Sequence, residues 1–332
     1  MPLNRKIAAV IFDKQTAFGT PAATKRFGLA LRGGSVLDPA VTQNYEELTV
    51  ATRFPPSSYR SGSNPVIDFR SRAWARSSVS LLELALGTRV TTGASDPFTH
   101  TITPATNPSY LTAYTRLDTE YHTLSDARID ELSFSWDGRE PLEMGVRILG
   151  CVLSMFNAGP HTATIDDSGE QSFFPAGGTF QLDTDSGTPA TADITGGTIT
   201  IANHLSPVEA SRQITPIDVW PGLHEITVVL RLIPANMTLW RAAVTGSDSG
   251  TAVSNAPVYG SFNTKFQIQP TPERSLALSS TRQAWYGPYP EGDPAGGPAE
   301  VELTSTVVKP AAGAEFTAIV LNDQAAAIYA GS

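Results

Sequence analysis

The residues of this chain with chemistry to offer are five histidines, one cysteine and a few acidic clusters. His100, His122, His161, His204 and His224 stand far apart, with no HExxH or similar metal spacing. A single cysteine, Cys151, excludes both an internal disulfide and a zinc site built on several thiolates of one chain. Neither a GxxxxGK[ST] phosphate loop nor a GxSxG elbow occurs. Asp183-Thr184-Asp185-Ser186-Gly187 opens like a calcium loop but lacks the closing bidentate Glu, so it reads as a solvated acidic turn. Asp166, Asp167 and Glu170 read the same way. Asp130, Glu131, Glu140 and Glu143 contain the raw material of a glycosidase carboxylate pair, but alternating strands place such residues outward routinely. Asn236-Met237-Thr238 matches a glycosylation acceptor without a secretory context. The expectation is no catalytic residue, no cofactor and no metal ligand set.

These carboxylates belong to a stretch that organises the rest, residues 127–150. Leu132, Phe134 and Trp136 alternate with Glu131, Ser133 and Ser135. After Asp137-Gly138, Leu142, Met144, Val146 and Ile148 alternate with Glu143, Gly145 and Arg147. Period-two alternation on both sides of an Asp-Gly turn predicts a β-hairpin with one buried and one wet face. Its apolar face needs a second layer, and its long edges must be closed or used.

The 332 residues suffice for two domains, and 41% hydrophobic against 17% charged residues marks a globular chain. With 27 Gly and 25 Pro, many short strands joined by turns are expected. The net charge of -9 is unevenly spread: residues 1–90 hold 12 Lys+Arg against 6 Asp+Glu, and residues 91–332 hold 11 against 26. An acidic body argues against tight wrapping of nucleic acid, yet it suits a surface past which DNA slides without sticking. The apolar run in the first 15 residues is too short for a signal peptide. No stretch approaches the roughly 20 apolar residues of a membrane helix, so no membrane partner is expected.

In chain order, IAAVIF and FGLALR read as strands, and residues 33–62 as a long aperiodic excursion, either a surface loop or an arm reaching a neighbouring subunit. A helix is predicted over 71–87, with Ser78, Leu81, Leu82 and Ala85 on one face, Ser71 as N-cap and Gly87 as stop. Strands are expected at 97–104 and 109–117 ahead of the hairpin. Residues 161–195, rich in Gly, Thr, Ser, Asp and Pro, read as a connector with one short strand. The later part repeats the order: a strand at 197–206, an irregular stretch, a strand at 223–233, a short helix over 236–245, then four strands. The fold class is therefore mainly β, with two tandem sandwich or barrel-like units, each with a flanking α-helix, at 1–160 and 196–332.

KQTAFGTPAA (14–23), LLELALGT (81–88) with the Thr- and aromatic-rich 97–117, the hairpin 127–150 and GGTITIANHLSP (196–207) together resemble the phage tail tube proteins, the major tail proteins of long-tailed phages. The resemblance implies β-sandwiches whose strands join those of neighbours into a ring, with rings stacked into a tube. It implies partners: other copies of the chain, a tape-measure protein, tail terminator and distal tail proteins, and genomic DNA passing without specific binding. It implies residence in the virion tail after assembly in the host cytoplasm. The two-unit reading favours a ring of three chains with pseudo-sixfold symmetry over a ring of six. The candidate lumen-facing residues are Glu143 and Arg147 of the hairpin and Glu302, Thr304 and Thr306 of a later strand, in a negatively lined channel. The alternatives are a decoration or baseplate component, or a carbohydrate-binding sandwich using Trp136, Trp220, Trp285 and Tyr286.

Overall fold

The structure is a computed structural model and describes residues 9–22, 27–32, 37–45, 57–117, 120–154, 172–184, 190–234, 237–270, 272–289 and 300–325. Its first half runs β1 (Ala9–Lys14), β2 (Phe27–Ala30), β3 (Val41–Tyr45), β4 (Ser58–Ser63), β5 (Val66–Arg72) and α1 (Ala75–Leu86). There follow β6 (Gly87–Thr92), β7 (Phe98–Pro104), β8 (Leu111–Leu117), β9 (Glu120–Asp137), β10 (Glu143–Leu149) and β11 (Val152–Ser154). The second half runs β12 (Phe174–Asp183), β13 (Ala190–Thr191), β14 (Ile194–Ala202), β15 (Ser206–Val208), β16 (Asp218–Trp220) and β17 (Glu225–Leu232). It ends with α2 (Thr238–Thr245), β18 (Tyr259–Pro270), β19 (Glu273–Tyr286), β20 (Val301–Val307) and β21 (Thr317–Asn322). The fold is mainly β, with antiparallel pairing throughout.

The predicted hairpin is β9–β10, with Glu143 opposite Ser135 and Met144 opposite Phe134. Gly138 takes the left-handed conformation (φ 55°) that the turn demands. Leu132, Phe134, Met144 and Ile148 are fully buried, as alternation requires. The same alternation in β17 buries Ile226, Val228, Leu230 and Leu232. Burying each such side chain contributes about 1.5–3 kcal/mol.

The sheet β5–β10–β9–β14–β17–β20 presents its apolar side to a second layer. In the first half that layer includes β1 and β8, where Phe12 stacks on Phe69 at 5.7 Å. In the second half β12 and β18 supply it: Trp136 stacks on Phe180 at 5.9 Å and meets Phe266 edge-on at 4.9 Å. One continuous core results.

The pairing of strands repeats between the halves. β1·β8, β8·β9, β9·β10, β9·β11 and β5·β10 have their counterparts in β12·β18, β18·β19, β19·β20, β19·β21 and β17·β20. The excursions also match: β3·β4 forms a two-stranded arm in the first, β15·β16 in the second. The first half adds β6 and β7, and β7 pairs with β21.

The helices differ from expectation at their starts. α1 begins at Ala75 with Trp74 in extended conformation at the cap position, and no side chain caps it. Ser71 is instead a buried residue of β5 opposite Met144, because Ile67, Phe69 and Ser71 alternate inward and strand pairing outweighs a cap. Gly87 ends α1 at φ 109° and Gly246 ends α2 at φ 81°, as predicted. Asn236, the expected cap of α2, lies outside the described residues, and α2 starts at Thr238. α1 lies against the hairpin strand β9 but also against β6, β7 and β21, so even Ser77, Ser78, Ser80 and Glu83 are buried. Lys14 at 2.7 Å and Arg89 at 2.9 Å flank the Glu83 carboxylate and offset its desolvation. The stretch 161–195 holds more than one short strand: β12 runs for 10 residues along β18. A register shift between Phe174 and Thr179, across Gly177 and Gly178, masks its periodicity. Among the described residues no helix is long and apolar enough to cross a membrane.

Candidate assembly surfaces

In antiparallel pairs, residues directly opposite point to the same face. Register therefore carries one row across the sheet: Arg72, Glu143, Ser135, Thr198, Val229 and Thr304, reaching Tyr286 on β19. The next row holds Arg70, Gly145, Ser133, Thr200, Thr227 and Thr306. Beyond it stand Asp68, Arg147, Glu131, Ala202 and Glu225; on the other side stand Asp137, Gly196, Arg231 and Glu302. All five candidate residues, Glu143, Arg147, Glu302, Thr304 and Thr306, thus share one face, and each is exposed or half-buried.

The middle of this face is hydroxyl-rich, and several of its charged side chains are engaged. Arg32 meets Glu143 at 2.6 Å, Arg231 meets Asp137 at 2.8 Å, Arg147 lies 3.6 Å from Asp130, and His204 meets Glu225 at 2.9 Å. Arg72 donates to the Pro141 carbonyl at 2.7 Å. A shallow hollow of about 570 Å³ opens here, lined by Arg32, Arg72, Arg231, Asp137, Glu140, Glu143 and Glu302 among others. Of the carboxylates considered for glycoside chemistry, Asp130 also accepts the Leu205 amide at 2.8 Å, and Glu143 holds Arg32. Of the aromatics considered for sugar stacking, Trp136 and Trp285 are core residues, while Trp220 and Tyr286 are exposed. Asp185, Ser186, Gly187, Asp166, Asp167 and Glu170 lie outside the described residues. Among the described residues no cluster of His, Cys, Asp and Glu is arranged to hold a metal ion.

A second surface, which sequence reasoning missed, is where the β15–β16 arm packs on the first half. The Arg128 guanidinium sits 3.8 Å above the Tyr110 ring and donates to the Val219 carbonyl at 3.0 Å. Tyr110 donates its hydroxyl to Asp218 at 2.9 Å. Leu205 and Val219 of the arm region bury themselves with Leu149 and Cys151, against Val66. Burial, then the hydrogen bond to Asp218, push the Tyr110 hydroxyl up to about 12; burial also pushes the Cys151 thiol up to about 12. The only sequence signal was Arg128 itself, a charge set between Ala127 and Ile129. Tyr110 and the arm are too far off in sequence to be linked to it.

The backbone joint between the halves is β9·β14, from Asp137 opposite Gly196 to Glu131 opposite Ala202. It is continuous in register and flanked by strands on both sides. The architecture is thus a broad antiparallel sheet with a hydroxyl-rich face, matching strand pairings in its two halves and a two-stranded arm in each. A family model described as phage tail tube protein matches residues 6–318, and the chain belongs to that family. It is therefore a structural protein of the phage virion, a subunit of the tail tube. No curated protein matches it.

Proposed function

We propose that the chain is two tail-tube units in tandem, and that three chains close into a ring of pseudo-sixfold symmetry whose stacking makes the tube. The carrying observation is the β9·β14 joint, which extends the sheet of one half into the sheet of the other by backbone hydrogen bonds. A ring needs such a joint at each boundary between units, and one chain already supplies one of them. The repeated pairing supports equal units, and β12·β18 matching β1·β8 favours counting β12 with the second unit.

In this reading the face bearing Glu143, Arg147, Glu302, Thr304 and Thr306 lines the channel. The hydroxyl-rich rows and the ion pairs of Arg32, Arg147 and Arg231 limit what the face offers a phosphate, and the net charge of -9 opposes phosphate binding. DNA then passes without specific contact during ejection. The tape-measure protein occupies the channel before it, and terminator and distal tail proteins cap the two ends. Assembly takes place in the host cytoplasm. The lining carries no chemistry of its own.

Negative-stain microscopy of the purified protein at rising concentration tests this reading. Rings and stacked tubes are expected. A chain that remains monomeric contradicts it, and a closed oligomer that never stacks fits a baseplate or decoration component instead.

A further inference from the structure

The two halves set equivalent residues at equivalent places, and one of those places is filled differently. Arg128 covers the Tyr110 ring at 3.8 Å and Arg282 the Tyr259 ring at 4.1 Å, each near the point where its strand passes from β11 to β10, or from β21 to β20. Glu143 of β10 lies opposite Arg72, and Glu302 of β20 lies opposite Arg231. Across the hairpin Glu143 faces Ser135. The register that sets Thr304 against Tyr286, continued along both strands, sets Glu302 against Pro288. Pro288 therefore stands in the second half where Ser135 stands in the first.

On its other side Ser135 pairs with Thr198 of β14, in the joint between the halves. Beside Pro288 the neighbour is α2. The Trp240 indole N–H donates to the Pro288 carbonyl at 2.8 Å, with the Gly287 carbonyl at 3.4 Å, and the Tyr289 ring meets the indole edge-on at 5.2 Å. The helix lies on the β18 side of β19, as β14 lies on the β8 side of β9. A Cβ on its stop residue Gly246 would sit 3.7 Å from Val258 Cγ2, and the Val258 carbonyl accepts the Trp285 amide at 3.3 Å. Counted back from the stop glycines Gly87 and Gly246, Trp240 falls where α1 has Leu81, a fully buried residue with no donor to offer an edge.

The two helices also differ in how they are held. Nearly all of α1 is buried, whereas α2 buries only Ala242 and Ala243. A helix with so little packing opens at low cost. A bare strand edge invites pairing with any other chain, and covering it with a helix prevents that. Pro288 has no N–H to give, so this edge offers chiefly carbonyls, and Trp240 holds them.

We propose that α2 is a latch: in the free chain Trp240 holds the carbonyls at the end of β19, and on assembly a second copy displaces it and pairs there as β14 pairs with β9. The occupant is a second copy because the strand that fills the equivalent place belongs to the chain's own repeated half. The inference rests on the ring reading and adds to it the contact that keeps free chains apart.

Two variants test it in the full-length protein. Trp240→Leu installs the residue that α1 carries, and Trp240→Phe keeps a ring against Tyr289 but loses the donor. Thermal melts confirm folding, and Trp240→Phe carries the test if the melt of the leucine variant falls. By sedimentation velocity, the onset of assembly should move to lower concentration, about fivefold for Trp240→Phe, the weight of one net hydrogen bond, and at least about tenfold for Trp240→Leu. Negative-stain microscopy should show the same rings and tubes as wild type. Variants that assemble at the wild-type concentration or above it, or that give only amorphous aggregate, overturn the latch and leave the tube reading standing. A wild-type chain that stays monomeric while the leucine variant forms tubes supports the latch. If neither wild type nor variants assemble at any concentration, the latch and the ring reading fall together.

Discussion

Equivalent arginines in the two halves should behave differently in the isolated chain. Arg128 is 7% exposed, stacked on Tyr110 and bonded to a carbonyl of the docked arm. Replacing it with alanine removes a desolvated cation–π contact, about 2 kcal/mol, and a charge-assisted hydrogen bond, about 1.5–3 kcal/mol. The two losses overlap, so Arg128→Ala should destabilise folding by about 2–4 kcal/mol, a large share of the ~5–15 kcal/mol typical of a folded protein. Lysine should restore little, since it supplies neither the planar stack nor the fork of donors. Arg282→Ala loses a half-exposed stack and a bond to an exposed loop carbonyl, and should cost about 0.5–1 kcal/mol. Urea unfolding followed by circular dichroism, at a concentration where the protein is monomeric, separates the cases. If Arg128→Ala falls within about 0.5 kcal/mol of wild type, or Arg282→Ala is equally damaging, the contrast drawn between the buried and the half-exposed stack is wrong.

Acid should weaken the seam between β6, β7 and β21. His100 is fully buried between Thr91 and Asn322, each at 2.9 Å, and burial lowers its pKa. Its stabilising contribution is complete above the unfolded value of about 6.5 and is lost as pH falls through the depressed folded value, so His100→Gln should flatten that part of the stability profile. The Arg76 guanidinium, hydrogen-bonded to Asp323, holds that carboxyl below the usual range; its contribution is present above about 3.9 and disappears at lower pH, a step that Arg76→Ala should abolish. Cys151, buried and held as the neutral thiol, should react with a thiol reagent about 100-fold slower in the native than in the urea-unfolded protein. Gly197→Ala places a methyl 2.7 Å from the Val229 carbonyl and 2.8 Å from the Trp136 ring inside the joint between the halves, and thermal or urea melts should show a loss of about 1–3 kcal/mol.

The hairpin β9–β10 and strand β17 were legible because half-buried strands write their burial as alternation, residue by residue. β5 was not, since its Ile67-Asp68-Phe69 runs directly into a strong helical pattern that attracts the N-terminal boundary. β12 was hidden by its glycines and its register shift. The arm β3–β4 has mostly exposed faces, so no burial imprints a period on it. That Glu143 and Thr304 share a row depends on four strand registers across three intervening strands, which local sequence does not encode. Their placement on wet faces of their own strands was legible; their meeting was not. The Arg128–Tyr110 and Arg282–Tyr259 pairs join residues of neighbouring strands far apart in the chain, a contact that no local pattern records.

The central claim is that one chain supplies two of six equivalent places around a channel lined by a single sheet face. A cross-section of the assembled tube at side-chain resolution tests it most directly. Three chains displaying six similar lobes, with the row from Glu143 through Thr198 to Thr304 facing the axis, is the predicted result. Six chains per ring, or that row turned away from the axis, contradicts it.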